Sequence, residues 1–207
     1  MRLINIFCLI FTIATFSQEQ ISNLGTIEEI KYNIVEQSKW IETIQSDFIQ
    51  LKHLSFMSND IETKGKLFYK ASQTIRWDYT EPYNYSIIIK GGTLYLNDAG
   101  SKSNLSLESN AALENLGTLI VKSVKGDLVN DKDFDITYYE LPDAYRLVFK
   151  SREGDLKEFV QQFEITFSKS DYNVKSVKML EDTGDYTLLK FTNQKFNQDL
   201  SDEVFIH

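Results

Sequence analysis

Residues Lys64 to Asn97 read KGKLFYKASQTIRWDYTEPYNYSIIIKGGTLYLN, and this stretch decides the fold. Leu67, Phe68 and Tyr69 form a short apolar run after Gly65. Ile75, Trp77 and Tyr79 then alternate with Thr74, Arg76 and Asp78. A period of two places the large side chains on one face of a strand and the polar ones on the other. Glu81-Pro82 ends the run, because proline locks its own φ and lacks an N–H donor. Tyr85, Ile87 and Ile89 begin a new strand, and Gly91-Gly92 turns the chain into Thr93 to Leu96. A Gly-Gly pair between two such runs marks a tight hairpin, whose turn needs positive φ. The stretch is an antiparallel meander of three or four strands, with Trp77 near its centre.

Working outward, the C-terminal half repeats the same alternation. Phe134, Ile136 and Tyr138 form one face, then Tyr145, Leu147 and Phe149. Phe159, Gln161, Phe163, Ile165 and Phe167 form the next. Val174, Ser176 and Lys178 oppose Lys175, Val177 and Met179. Tyr186, Leu188 and Lys190 oppose Thr187, Leu189 and Phe191. A last short strand is expected at Val204 to Ile206. Two segments read as helices. Thr26 with Glu29 three residues on has the form of a capping box. Ile27, Ile30, Ile34, Ile41, Ile44 and Phe48 follow as one apolar stripe, and a first strand is expected over Asp47 to Phe56. After a polar stretch with one short strand near Leu105 and Leu107, the period changes at Asn110 to Val124. There Leu113, Leu116, Leu119 and Ile120 fall three and four apart, with Gly117 inside the helix at a cost of about 1 kcal/mol against alanine. Roughly nine to eleven antiparallel strands are too many to stay flat, and such sheets curl or close. The expected fold is α+β and mainly antiparallel: a strongly curved, incomplete barrel with helices as a lid over an apolar cavity.

The chain has 207 residues, two prolines, nine glycines and a formal net charge of −8. That length supports one domain with a real core, and no repeat or linker is visible. Arg2 followed by the apolar run Leu3 to Phe16 and by Ser17 has the layout of a secretory signal peptide, cleaved before Gln18. The expected division is 1–17 signal peptide and 18–207 one domain. The single cysteine, Cys8, lies in the leader, so the secreted chain has no disulfide and no thiol nucleophile. Acidic balance speaks against nucleic acid and against an anionic membrane surface. No nucleophile elbow, phosphate loop or dinucleotide fingerprint is present. Of the two histidines, His207 ends the chain, and His53 lacks Asp, Glu or Cys at metal-ligand spacing. No enzyme, metal or cofactor is expected.

The ordered set Gly65, Leu67, Tyr69, Lys70, Arg76, Trp77, Tyr79, Pro82, Ile88, Ile89, Gly92 and Tyr95, with Phe48-Ile49-Gln50 before it, resembles the core signature of the LolA-like periplasmic lipoprotein carriers. The resemblance implies an unclosed barrel with a helical lid over an apolar cavity. It also implies a monomeric periplasmic shuttle that takes acylated lipoprotein or other lipid cargo from an inner-membrane release complex to an outer-membrane acceptor. The physical need is clear: exposed methylenes cost about 0.8 kcal/mol each, and a three-chain anchor has roughly forty, so unaided release costs on the order of 30 kcal/mol. The residues expected to hold cargo are Trp77, Tyr79, Ile87, Ile89, Leu94 and Leu96, with Leu113, Leu116 and Ile120 from the second helix. One departure stands out. The family carries a K-R-P run before the tryptophan, its arginine tied to lid closure and directional handover. Here Lys70 matches the lysine, but Ala71 and Ser72 replace the other two, and Arg76 lies elsewhere on opposite strand parity. Two other readings stay open. One is a binder of a free lipid, glycolipid or pigment precursor. The other is a protein-interaction module that adds a strand at an open sheet edge, testable by proline at Val177.

Overall fold

The computed structural model describes residues 19–71, 74–107, 118–119, 121–126, 128–129, 134–152, 162–181 and 183–207. The expected signal peptide, 1–17, and Leu113, Leu116, Gly117 and Ile120 lie outside the described residues.

One helix, α1 (Leu24–Lys39), and twelve strands are described. These are β1 (Glu19–Gln20), β2 (Thr43–His53), β3 (Ile61–Lys70), β4 (Thr74–Glu81), β5 (Tyr85–Lys90), β6 (Thr93–Asp98), β7 (Ser101–Ser106), β8 (Phe134–Glu140), β9 (Ala144–Ser151), β10 (Gln162–Ser168), β11 (Val174–Leu180) and β12 (Tyr186–Phe196). Residues 118–119 and 121–125 form a second helical segment. All strands belong to one antiparallel sheet in the order β1-β8-β9-β10-β11-β12-β2-β3-β4-β5-β6-β7, whose ends do not pair. The sheet is therefore curved and unclosed, as expected. Its edges are β1 and β7, so Val177, on β11 and paired on both sides, is no edge residue. The chain leaves β7 at one edge and re-enters at β8 next to the other. The second helical segment lies on that crossing.

The alternation predicted for the meander holds strand by strand. Ile75, Trp77 and Tyr79 share a face, and register pairs Leu67 with Trp77 and Trp77 with Ile87. Gly91 and Gly92 take φ of 55° and 70° between the paired Lys90 and Thr93, the left-handed turn that L side chains resist. Gly65 is needed for another reason. A Cβ there would stand 1.9 Å from the Asp78 carbonyl oxygen and 2.7 Å from Phe48 Cζ. The ring of Phe48 covers this glycine, edge-on to Trp77 at 5.8 Å and to Tyr79 at 5.2 Å, and a register shift in β3 falls beside it.

Three readings change. The N-cap of α1 is Asn23, whose side chain accepts from the Thr26 N–H at 3.1 Å; asparagine is as good a cap as threonine, and it comes first. The helix ends at Lys39, so Ile44 and Phe48 sit on β2 rather than on the helical stripe. A spacing of four is even, and it fits a strand face as well as a helix face. At the tail, Asp202–Phe205 is a 3-10 turn, not a strand. It lies across the convex face, where Arg76 Nη1 donates to the Val204 carbonyl at 2.8 Å and Nε reaches Asp78 at 2.7 Å. The tail's carbonyls are thus taken by a side chain, and Ile88, Leu200 and Phe205 are buried there, apart from the main core.

Ile30 and Ile34 of α1 are buried in that core, each contributing roughly 1.5–3 kcal/mol. The helix is also tied at its polar edge: Asn33 Nδ2 donates to Tyr172 Oη and Gln37 Nε2 to Asn173 Oδ1, both at 3.1 Å.

Candidate functional site: an apolar cavity on the concave side of the sheet

The concave side of the sheet is not filled throughout. A cavity of about 280 Å³ lies between β4–β6, β10–β12 and the second helical segment. Ile75, Trp77 and Tyr79 supply one wall from β4, with Ile87, Ile89 and Leu94 from β5 and β6. Phe163, Val177, Met179 and Leu189 face them, and Leu119, Ser123 and Val124 come from the helical segment. Of the residues expected to hold cargo, Trp77, Tyr79, Ile87, Ile89 and Leu94 line this space. Leu96 does not, although its partner across the strands is Ile87 on the same row. Leu113, Leu116 and Ile120 fall outside the described residues.

The polar groups in the wall are few. Tyr79 Oη donates to Gln50 Oε1 at 3.0 Å. Ser123 Oγ donates back to the Leu119 carbonyl at 2.7 Å, so it presents no free hydroxyl proton. Burial pushes the Tyr79 phenol up to about 12, because the charged phenolate would lose its water. Trp77 Nε1 is buried without a hydrogen-bond partner among the described residues, an uncommon state for a native donor. A space lined this way attracts hydrocarbon and little else.

Toward the end of the sheet that carries the β4–β5 turn, Tyr79 and Ile87 also line a more polar surface cleft, with Thr63, Glu81, Tyr83, Tyr85 and Asp98. His53 is no free surface histidine: its Nδ1 lies 2.8 Å from Asp60 Oδ1, and its ring stacks on Tyr186 at 4.9 Å. The partner comes from across the hairpin, a neighbour that spacing along the chain does not reveal. Among the described residues no group of His, Cys, Asp or Glu could hold a metal ion, and no described helix is long and apolar enough to cross a membrane.

Sequence reasoning missed Gln50, Ile75, Leu107, Leu119, Ser123, Val124, Phe163, Val177, Met179 and Leu189 as wall residues. The alternation of Ile75, Phe163, Val177, Met179 and Leu189 was visible. Which strands face β4 across the hollow depends on how far the sheet curls. Val174 shows a related limit. Alternation set it opposite Val177, yet both are buried. A register shift between Thr166 and Phe167 pairs Phe167 with Val174 and turns its side chain inward.

The family model described as outer membrane lipoprotein carrier protein LolA matches residues 39–206. The chain belongs to the LolA family. A curated relative, the outer-membrane lipoprotein carrier protein of Methylococcus capsulatus, is 22% identical over 166 residues, covering 79% of this chain and 76% of the relative. Among solved structures, an uncharacterized conserved protein from Thermus thermophilus matches with a TM-score of 0.54 at 12% identity, covering 87% of this chain and 92% of the other. The Mycobacterium tuberculosis lipoprotein LppX matches at 0.50 and 8% identity, covering 86% and 99%. At such identities the structural likeness speaks for the fold. Family and cavity together support a LolA-like carrier of lipophilic cargo, and the LolA family is one of carrier proteins rather than enzymes.

Proposed function

We propose that this protein is exported by its leader, residues 1–17, into the periplasm and there shields the acyl chains of lipoproteins between an inner-membrane release complex and an outer-membrane acceptor. The observation that carries the reading is the apolar cavity on the concave side of an unclosed sheet in a LolA family chain, with Leu119, Ser123 and Val124 among its lining residues. Trp77, Tyr79, Ile87, Ile89 and Leu94 bind the hydrocarbon. Leu96, Leu113, Leu116 and Ile120 join them when the space widens. Widening is required by size: about 280 Å³ lies at the low end of ligand sites, roughly 300–1,000 Å³ for one drug-sized molecule. A three-chain anchor needs more. The second helical segment is the part that moves, because α1 is tied through Asn33 and Gln37 to the loop before β11.

A second reading, a LolA-like binder of a single free lipid or other lipophile, is favoured by the small cavity and by Ala71. That residue stands exposed where the family pattern has arginine, with its N–H bonded to the Glu42 carbonyl at 2.7 Å. The test is purification of residues 18–207 from the periplasm of the native host without detergent, followed by mass spectrometry of what co-purifies. An acylated protein supports lipoprotein carriage, and a free lipid supports the second reading. No apolar companion, with no uptake of a fluorescent fatty acid, sinks both.

A further inference from the structure

We propose that the β2–β3 turn, with Phe56 and Met57 at its apex, is a membrane-contact tip through which the carrier touches a zwitterionic bilayer while cargo passes. The proposal rests on the carrier reading for its purpose, and on the following geometry for its existence.

Phe56 is 80% exposed and Met57 40%, on a turn of seven residues between His53 and Ile61. The turn is firmly built. The Met57 N–H donates to the Leu54 carbonyl at 2.8 Å. The Ser55 N–H donates to Asp185 Oδ1 at 2.7 Å, and Asp185 is itself braced by its N–H to Thr183 Oγ1. His53 closes the other side through Asp60 and Tyr186. Side-chain bonds are thus spent on a turn whose apex offers two large apolar groups to water. Bulky apolar side chains on a fixed projection are what insertion into a bilayer interface needs.

The turn also projects. β4 ends its pairing with β3 at Glu81 opposite Lys64, while β3 continues to Ile61. The residues from Thr63 to Ile61 carry the hairpin roughly 10 Å past the level of Glu81, where β4 ends, before its own turn begins. Tyr83, 72% exposed, stands in that lower turn. The cleft that shares Tyr79 and Ile87 with the cavity opens at this same end. The apolar apex and that cleft therefore lie at the same end of the sheet.

Shape and charge select the occupant. A stable protein partner needs about 800 Å² of matched surface on each side, and a narrow convex apex does not offer it. A bilayer needs no matched shape. At the base of the hairpin Lys64 Nζ lies 3.4 Å from Glu62 Oε1 and His53 Nδ1 lies 2.8 Å from Asp60 Oδ1, and the whole chain carries −8. That balance suits zwitterionic head groups and opposes anionic ones.

The test loads residues 18–207 with a fluorescent fatty acid and mixes them with quencher-containing vesicles of phosphatidylcholine and phosphatidylethanolamine. For the unaltered protein the transfer rate rises in proportion to vesicle concentration, the mark of transfer by collision, and adding phosphatidylglycerol slows it. The double variant Phe56→Ser, Met57→Ser transfers about tenfold more slowly, having lost the burial of two large apolar side chains. It still takes up the fatty acid from solution as before, which shows an intact fold and cavity. Trp40→Ser, an exposed aromatic at the opposite end of the sheet, transfers like the parent. A parent rate that ignores vesicle concentration, a double variant as fast as the parent, or a slowed Trp40→Ser overturns the proposal. If the parent takes up no fatty acid, the carrier reading fails separately. The tip then stands or falls on flotation with the same vesicles, which the double variant must weaken.

Discussion

Two parts of one concave face are built from the same alternating pattern and end differently. On β8–β10 the inward positions are Phe134, Phe149 and Phe163. Phe149 stacks on Phe163 at 4.6 Å, and Phe134 meets Phe163 edge-on at 5.1 Å. Leu147, Phe149, Ile165 and Phe167 are wholly buried there. On β4–β6 the inward positions are Ile75, Trp77, Tyr79, Ile87, Ile89 and Leu94, and Tyr79, Ile87 and Leu94 are only partly buried. Rings on adjacent strands fill the first part; aliphatic chains beside Trp77 leave the second hollow. The filled part is tightly packed core, and the hollow part leaves space inside the sheet. Phe163 belongs to both, stacking into the aromatic cluster and lining the cavity.

The comparison breaks if both parts respond alike to truncation. Phe149→Ala is expected to cost about 3–5 kcal/mol by urea unfolding, as deletion of a buried ring does. Ile87→Ala, half-buried at a wall that already borders empty space, is expected to cost about 2 kcal/mol, the low end for such a truncation. Equal losses would mean that the hollow is packed in solution. Next in size is Gly65→Ala, with its Cβ driven against the Asp78 carbonyl. About 3 kcal/mol is expected from this overpacking, and a neutral result would show that β3 and β4 can part freely at the hollow side.

Alkaline pH sharpens the contrast. The Tyr79 phenol is raised from 10.0 to about 12, so its neutral form is the one the fold favours. The stability it contributes is complete below pH 10 and is lost as pH rises through about 12. On the order of 2 kcal/mol is at stake after allowance for partial exposure. The parent should therefore lose more stability between those pH values than Tyr79→Phe does, and parallel curves would contradict a desolvated Tyr79. The smallest expected change in stability comes from Leu94→Trp, which fills the hollow. Unfolding should shift by less than about 1 kcal/mol, while fatty-acid uptake disappears. Retained uptake would place the cargo elsewhere.

Much of this was legible in the sequence alone. The strands of the meander and the Gly91-Gly92 turn follow from period and from backbone freedom, which are local properties. Five of the six meander residues named for the cavity line it, because large side chains on one face of a curled sheet have little choice but the concave side. Misreadings arose where a local signal had two solutions. Ile44 and Phe48, four apart, satisfy helix and strand alike. Asn23 and Thr26 can both cap a helix. Val204 to Ile206 reads as a strand until Arg76 takes two of its carbonyls.

By itself, then, the sequence determined the strand pattern, the antiparallel class, the resemblance to LolA carriers and the inward row around Trp77. All of these depend on residues near one another along the chain. Only the tertiary structure decided that Phe163, Val177, Met179 and Leu189 face that row across a gap, that a bulge turns Val174 inward, and that Phe56 stands at the end where the cleft opens. Those outcomes depend on how twelve strands twist and curl together, and on whether rings or aliphatic chains meet in the middle. Alternation says which face a side chain takes; sheet curvature says what it finds there.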